Sequence, residues 1–325
     1  MSDRETVDFL ATIPLLEGRP EPELIELARV VRRRTIPAGE VLWRQGDEAR
    51  EMLFVVDGAV SASLDVPGDR ALDIGTAGPG EAVGELGVLD GGVHTMSVQV
   101  TEPATVLALG RLDFAALLAG QHPSAFGLRR RLASVFSARL RVQLRHLAIS
   151  LGGQHAAAPE EEEPALLPGE LEPCPPPDSR YVRRMATFHD FDPLALWGFL
   201  TSGTYVRCPP GRTLLAEGAP SEAYYLTING AVEKVLKRGD WRVRPGLAGP
   251  GRAFGYEGLI DGEPSPITAI TRERAVLLVV PRALFERLFN GEDAVSRGFL
   301  DVIQKDLTAN LRETLRPCAR LAASR

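Results

Sequence analysis

The apolar positions of the first 150 residues change period once, and the change separates two kinds of element. Between Val41 and Leu109 they fall in short, mostly alternating runs at 41–44, 51–56, 59–64, 72–76, 97–100 and 104–109. Pro37-Ala38-Gly39, Asp57-Gly58 and Pro67-Gly68-Asp69 punctuate them. Short alternating runs between glycine and proline turns predict the strands of an antiparallel roll. From Pro123 to Leu151 the period becomes three to four: Leu128, Leu132, Phe136, Leu140, Leu144, Leu147 and Leu151 share one stripe. That spacing predicts one long amphipathic helix over 123–151. A bare stripe of this size is a liability in water, so a second subunit or another part of the chain must cover it.

The same pattern occurs twice. Ile36-Pro37-Ala38-Gly39 answers to Cys208-Pro209-Pro210-Gly211, an offset of 172 (211 − 39), which also pairs Leu42 with Leu214 and Gly46 with Gly218. Asp57-Gly58-Ala59-Val60 answers to Asn229-Gly230-Ala231-Val232 in the same register. One deletion later the offset is 171, matching Gly78-Pro79-Gly80 to Gly249-Pro250-Gly251 and Phe114 to Phe285. A constant register over such a length marks a duplicated domain. The predicted organisation is therefore a first domain over 1–151 ending in the long helix, a linker over 152–179, and a second domain over 180–325. Four successive glutamates (Glu160 to Glu163) and the prolines up to Pro177 predict an extended, solvated tether in that linker. The fold class follows: mainly β with flanking helices, as two antiparallel β-rolls.

One stretch in each copy breaks the strand pattern. In the first it runs from Ala77 to Met96, and within it Gly84-Glu85-Leu86-Gly87-Val88-Leu89 has the glycines for a close backbone approach and the makings of a short helix. Outward N–H groups at such a turn suit a phosphate. Glu85 would sit beside the anion, placed to accept a hydrogen bond from a sugar hydroxyl, so the pocket suits a sugar phosphate. A cation should follow to close over the phosphate, and nine positions after Glu85 stands His94; Thr95 beside it is counted with the site. Arginine would bond two phosphate oxygens at any physiological pH; an imidazole clamp is weaker, and its affinity should rise as pH falls.

These residues carry a resemblance. Gly84-Glu85-Leu86-Gly87-Val88-Leu89, then Asp90-Gly91-Gly92 and a polar clamp, resembles the phosphate-binding cassette of the cyclic-nucleotide-binding domain family. The resemblance implies that the Glu85 position holds the ribose 2′-hydroxyl and that the His94 position, an arginine in the family, holds the cyclic phosphate. The ligand it implies is cyclic AMP or cyclic GMP, with no other cofactor. In the second copy, at Gly255-Tyr256-Glu257, the register puts Tyr256 opposite Glu85 and Ser265 opposite His94. Both ligand-holding types are replaced. Glu257 is one residue late, and one step on a helix turns a side chain by about 100°, away from the pocket. The second copy therefore reads as a degenerate site.

Composition narrows the classes. The net charge of −6 draws the chain toward neither nucleic acid nor an anionic membrane. Arg129, Arg130, Arg131, Arg139, Arg141 and Arg145 make the long helix basic, but arginines opposite an apolar stripe read as a solvated face. No apolar run spans a membrane and the N-terminus lacks the order of a signal peptide, which predicts a cytoplasmic protein. Three scattered cysteines, Cys174, Cys208 and Cys318, fit reduced thiols. The five histidines contain no His-x-His or His-Glu-x-x-His pair, and no nucleophile elbow or Walker loop occurs, so neither a metal site nor an enzyme is expected. Arg183-Arg184-Met185-Ala186-Thr187 resembles a kinase pseudosubstrate, but it falls where the second copy needs its opening helix. The expectation is a regulator that binds a cyclic nucleotide weakly, in the first copy alone, and signals to a separate effector protein. The alternative is a ligand-free interaction scaffold built on the same fold.

Overall fold

A computed structural model of the chain describes residues 3–66, 70–152, 171–189, 191–238 and 241–323. It contains two compact units, Met1–Val135 with Ala319–Arg325, and Phe136–Cys318.

The first unit opens with helices α1 (Asp3–Thr12) and α2 (Glu21–Val30), then β1 (Arg32–Ile36), β2 (Val41–Trp43), β3 (Glu51–Val66), β4 (Arg70–Ala77) and β5 (Ala82–Val83). Helix α3 (Glu85–Asp90), strand β6 (Ser97–Gly110), α4 (Arg111–Ala119) and the start of α5 (Pro123–Gly152) complete it. One antiparallel sheet in the order β1-β6-β3-β4, with β2 on β6 and β5 on β3, folds over itself. Its core is aliphatic, with Leu53, Val55, Val60, Val98, Val100 and Val106 buried around Trp43.

Two expected strand pairs are single strands here. The runs at 51–56 and 59–64 are both within β3, and those at 97–100 and 104–109 within β6. Asp57-Gly58 supplies the positive φ that a hairpin turn requires, but the chain uses it for a bulge: Gly58 has φ 81° and the register slips on either side of it. No other residue fits there, because a Cβ would lie 2.3 Å from the Pro103 carbonyl oxygen. The 67–69 turn lies outside the described residues.

The second unit takes the rest of α5 and adds β7 (Glu172–Pro173), α6 (Ser179–Arg183), α7 (Pro193–Leu200), β8 (Thr204–Cys208), β9 (Thr213–Leu215), β10 (Ala223–Asn229) and β11 (Val232–Arg238). There follow β12 (Trp241–Ala248), β13 (Ala253–Phe254), α8 (Glu257–Asp261), β14 (Thr268–Thr271), β15 (Ala275–Pro281), α9 (Arg282–Asn290) and α10 (Ala294–Ala323). Two sheets, β13-β10-β15-β8-β7 and β12-β11-β14-β9, form this roll. An aromatic cluster of Phe199, Tyr224, Phe285 and Phe299 fastens the helices to it.

The duplication is visible bond by bond. Gly46 N–H donates to the His94 carbonyl at 2.9 Å, and Gly218 N–H to that of Ser265 at 2.9 Å. His94 N–H reaches Asp47 O at 2.8 Å, and Ser265 N–H reaches Ala219 O at 2.8 Å. Gly84 and Gly255 both take the left-handed conformation, at φ 85° and 81°. Compactness divides the chain at 135/136, earlier than the repeat does, because the second half of α5 packs in the second unit.

That packing answers the question the helix raised. Leu128, Leu132, Phe136, Leu140, Leu144 and Leu147 are all buried in the single chain, and Leu140 and Leu144 line a cavity of the second unit. From Leu128 to Leu147 the stripe is covered within the chain, without a second subunit. The basic face needs correction as well. Arg129 and Arg141 are buried, not solvated. The linker differs at its end: residues 153–170 lie outside the described residues, but β7 pairs with β8 and the Cys174 N–H donates to Tyr205 O at 2.9 Å. The pseudosubstrate-like segment is folded in place, with Thr187 donating to Gly251 O at 2.9 Å and Phe188 fully buried.

Candidate functional site

In the first roll, Gly84 ends β5's turn and caps α3 with φ 85° and ψ 3°. The conformation and the space both demand glycine: a Cβ would lie 3.0 Å from Glu51 O and 3.1 Å from the Trp43 ring. Gly87 has a different reason. A Cβ there would lie 2.2 Å from that of Ala49, so this glycine lets α3 seat against the Ala49 side chain. Ala49 N–H in turn donates to Gly92 O at 3.1 Å. The loop after α3 is held further by Arg111, which donates to Gly91 O at 3.0 Å and to Glu48 at 2.8 Å.

Glu85 is buried at the first position of α3, while Leu86 and Thr95 are half-buried. His94 is 5% exposed and stacks on Trp43, ring centroids 4.1 Å apart and planes 6° from parallel. The indole thus links the parts: its edge limits Gly84 and its face carries His94. Nothing in the strand pattern marked Trp43 for this role. Gly84 and His94 thus meet at one indole, with Glu85 following Gly84 at the start of α3.

The second cassette keeps the backbone and changes its use. Tyr256 is fully buried, and its hydroxyl donates to Asp306 at 2.6 Å and accepts from Asn310 at 2.7 Å, both on α10. Burial and the Asp306 carboxylate push this phenol far above its usual range, so it remains a donor. Arg252 joins the group, bonding Asp306 at 2.6 Å, Asn310 at 2.8 Å and Glu313 at 2.7 Å. Burial disfavours its charge, but Asp306 and Glu313 outweigh that and raise its pKa. Ser265 is spent locally, donating to Ile267 O at 2.8 Å. Neither residue offers anything to a sugar or a phosphate.

Glu257 is 2% exposed and lines a cavity of about 20 Å³ with Lys234, Leu140 and Leu144. Its Oε2 accepts no hydrogen bond from the chain. Burial raises its pKa, with the Lys234 ammonium opposing. A cavity of this size admits a water. The sequence held no signal for Asp306, Asn310 and Arg252, which meet Tyr256 only through tertiary packing.

Among the described residues no group of three or more His, Cys, Asp or Glu could hold a metal ion. Among them, too, no helix is long and apolar enough to cross a membrane.

The cyclic nucleotide-binding domain family matches residues 33–121 and 205–292, one match per roll. A cyclic nucleotide-gated potassium channel of Mesorhizobium japonicum is 31% identical over 125 residues, 38% of this chain and 33% of the channel. The cyclic AMP receptor protein of Thermus thermophilus is 34% identical over 106 residues, 32% of this chain and 49% of the receptor. The chain thus spans a third to a half of these relatives' lengths. The regulatory domain of Toxoplasma gondii PKA, solved with cAMP, is 16% identical with a TM-score of 0.33, covering 89% of this chain and 93% of that one.

Proposed function

The chain belongs to the cyclic nucleotide-binding domain family, and from that premise we propose that it is a tandem regulatory protein whose first roll alone binds cyclic AMP or cyclic GMP. The contrast between Glu85 and Tyr256 carries this reading. At equivalent positions after equivalent left-handed glycines, the first copy has a carboxylate for a sugar hydroxyl, and the second a phenol bonded to its own α10. Loss of the arginine clamp weakens the first site by about 1.5–3 kcal/mol, a ten- to hundredfold change, without removing it. The bound state is relayed to a separate effector protein.

Calorimetric titration with each nucleotide tests this. At most one site per chain is expected, abolished by Glu85→Ala and unchanged by Glu257→Ala. Two equal sites would overturn the assignment. A ligand-free interaction protein is the second reading, favoured by the stacking of His94 on Trp43, which occupies one face of the imidazole; it predicts no heat with either nucleotide.

A further inference from the structure

The last residue of β2 touches both ends of the first cassette. The Trp43 ring, 7% exposed, lies 3.1 Å from where a Gly84 Cβ would be, and its face carries the His94 ring at 4.1 Å between centroids, 6° from parallel. Trp43 is fixed opposite Val98 on β6. The main chain of His94 is tied to the turn that follows β2, through Gly46 N–H to His94 O and His94 N–H to Asp47 O. The indole is therefore a platform set before any ligand arrives. A stack engages the face of an imidazole and not its nitrogens, which bond in the plane of the ring.

The second roll shows that the turn itself needs neither ring. Leu215 stands at the position of Trp43, opposite Ala269 as Trp43 is opposite Val98, and Ser265 stands at that of His94. The Cβ position of Gly255 lies 2.9 Å from Ala223 O and 3.5 Å from Leu215 Cδ2, where that of Gly84 lies 3.0 Å from Glu51 O and 3.1 Å from the indole. The two main-chain bonds of the turn keep their lengths, 2.9 and 2.8 Å. A leucine thus fills the place beneath an equivalent cassette. The two rings occur together in the copy that has Glu85, and both are replaced in the copy that has Tyr256.

We propose that Trp43 is the positioning residue for the ligand of the first roll: its indole holds the His94 imidazole in the direction that meets a phosphate. Platform and clamp then form one unit, and the second roll has neither half. A histidine turns about two side-chain bonds and donates along a single line from each nitrogen, so its worth as a clamp depends on a surface that orients it. An arginine fork is aligned by the two phosphate oxygens it bonds and needs the platform less. This role rests on His94 being the clamp of the first site, as proposed above.

Calorimetry of the full chain with cyclic AMP and cyclic GMP tests it, using Trp43→Leu, which brings in the second roll's residue, alone and combined with His94→Arg. Trp43→Leu should weaken binding about tenfold in the wild-type background and less than about threefold beside His94→Arg. Trp43→Phe, a smaller platform, should cost about threefold in wild type. A tryptophan that only supports the cassette would cost the same in both backgrounds, so equal losses would overturn the proposal. A phenylalanine variant no better than the leucine one would overturn it too. If Trp43→Leu does not accumulate as folded protein, Trp43→Phe supplies the same comparison, about threefold in wild type against no change beside His94→Arg. Failure of the wild type to bind either nucleotide would remove the reading of the site and this role with it, whereas binding with equal losses would remove this role alone.

Discussion

Replacing Tyr256 tests whether the second copy has lost its ligand site or only covered it. Tyr256→Phe removes one hydroxyl from a fully buried position and with it two bonds, the donation to Asp306 at 2.6 Å and the acceptance from Asn310 at 2.7 Å. Asp306 keeps Arg252 on Oδ1 and the Asn310 amide on Oδ2, so no charge is stranded. The loss should be that of a hydrogen bond to a charged group, about 2–3 kcal/mol. Tyr256→Glu restores the residue type of the first copy but faces a second carboxylate at Asp306, and its cost should be about 3–5 kcal/mol or more. It should not create nucleotide binding, because the α10 group and the small cavity at Glu257 remain. Global unfolding would mix the two units, so hydrogen exchange of segments 253–261 and 304–312 is the better assay. A glutamate variant as stable as the phenylalanine one would refute the reasoning, since Arg252 would then have re-paired with the new carboxylate.

Three further outcomes are expected. Gly87→Ala should reduce both stability and nucleotide affinity of the first roll, because its Cβ would lie 2.2 Å from that of Ala49 and α3 must move; an unchanged calorimetric titration would contradict this. Glu257 has a raised pKa through burial, against Lys234 and Arg141 and with Asp306 assisting, so the folded state binds its proton more tightly than the unfolded chain does. Stability from this group is therefore full below the unfolded value and lost as pH rises through the folded one, and Glu257→Gln should stabilise at pH 8 with a gain that fades toward pH 5 in urea titrations. His94→Arg should tighten cyclic-nucleotide binding and flatten its pH dependence, since bound phosphate favours the protonated imidazole and guanidinium stays charged; affinities measured from pH 6 to pH 8 decide it.

Where a residue's role is local, the sequence was enough to read it. The repeat register, the long helix and the cassette turns follow from spacing and glycine, and paired hydrogen bonds such as Gly46 to His94 and Gly218 to Ser265 reproduce the alignment. Asp57-Gly58 misled because a hairpin turn and a bulge require the same positive φ, and only the partner strand decides between them. Gly87 is needed for Ala49 as well, which the sequence alone does not show, since room for a ligand and room for a side chain leave the same mark. Arg129 and Arg141 resembled the other arginines of α5, and their burial comes from what the helix meets. Tyr256 gave away a loss but not its replacement, for Asp306 and Asn310 are 50 and 54 positions away.

Duplication ordinarily yields modules that recombination can move or delete one at a time. Here the second unit starts at Phe136, inside the helix that closes the first repeat, and Leu140 and Leu144 form part of its interior wall. A gene fragment cut at the repeat boundary would encode a roll with that wall missing and Glu257 and Lys234 opened to solvent. A module boundary drawn from the repeat would therefore fall in the wrong place, and one drawn at residue 136 would leave the second roll its wall.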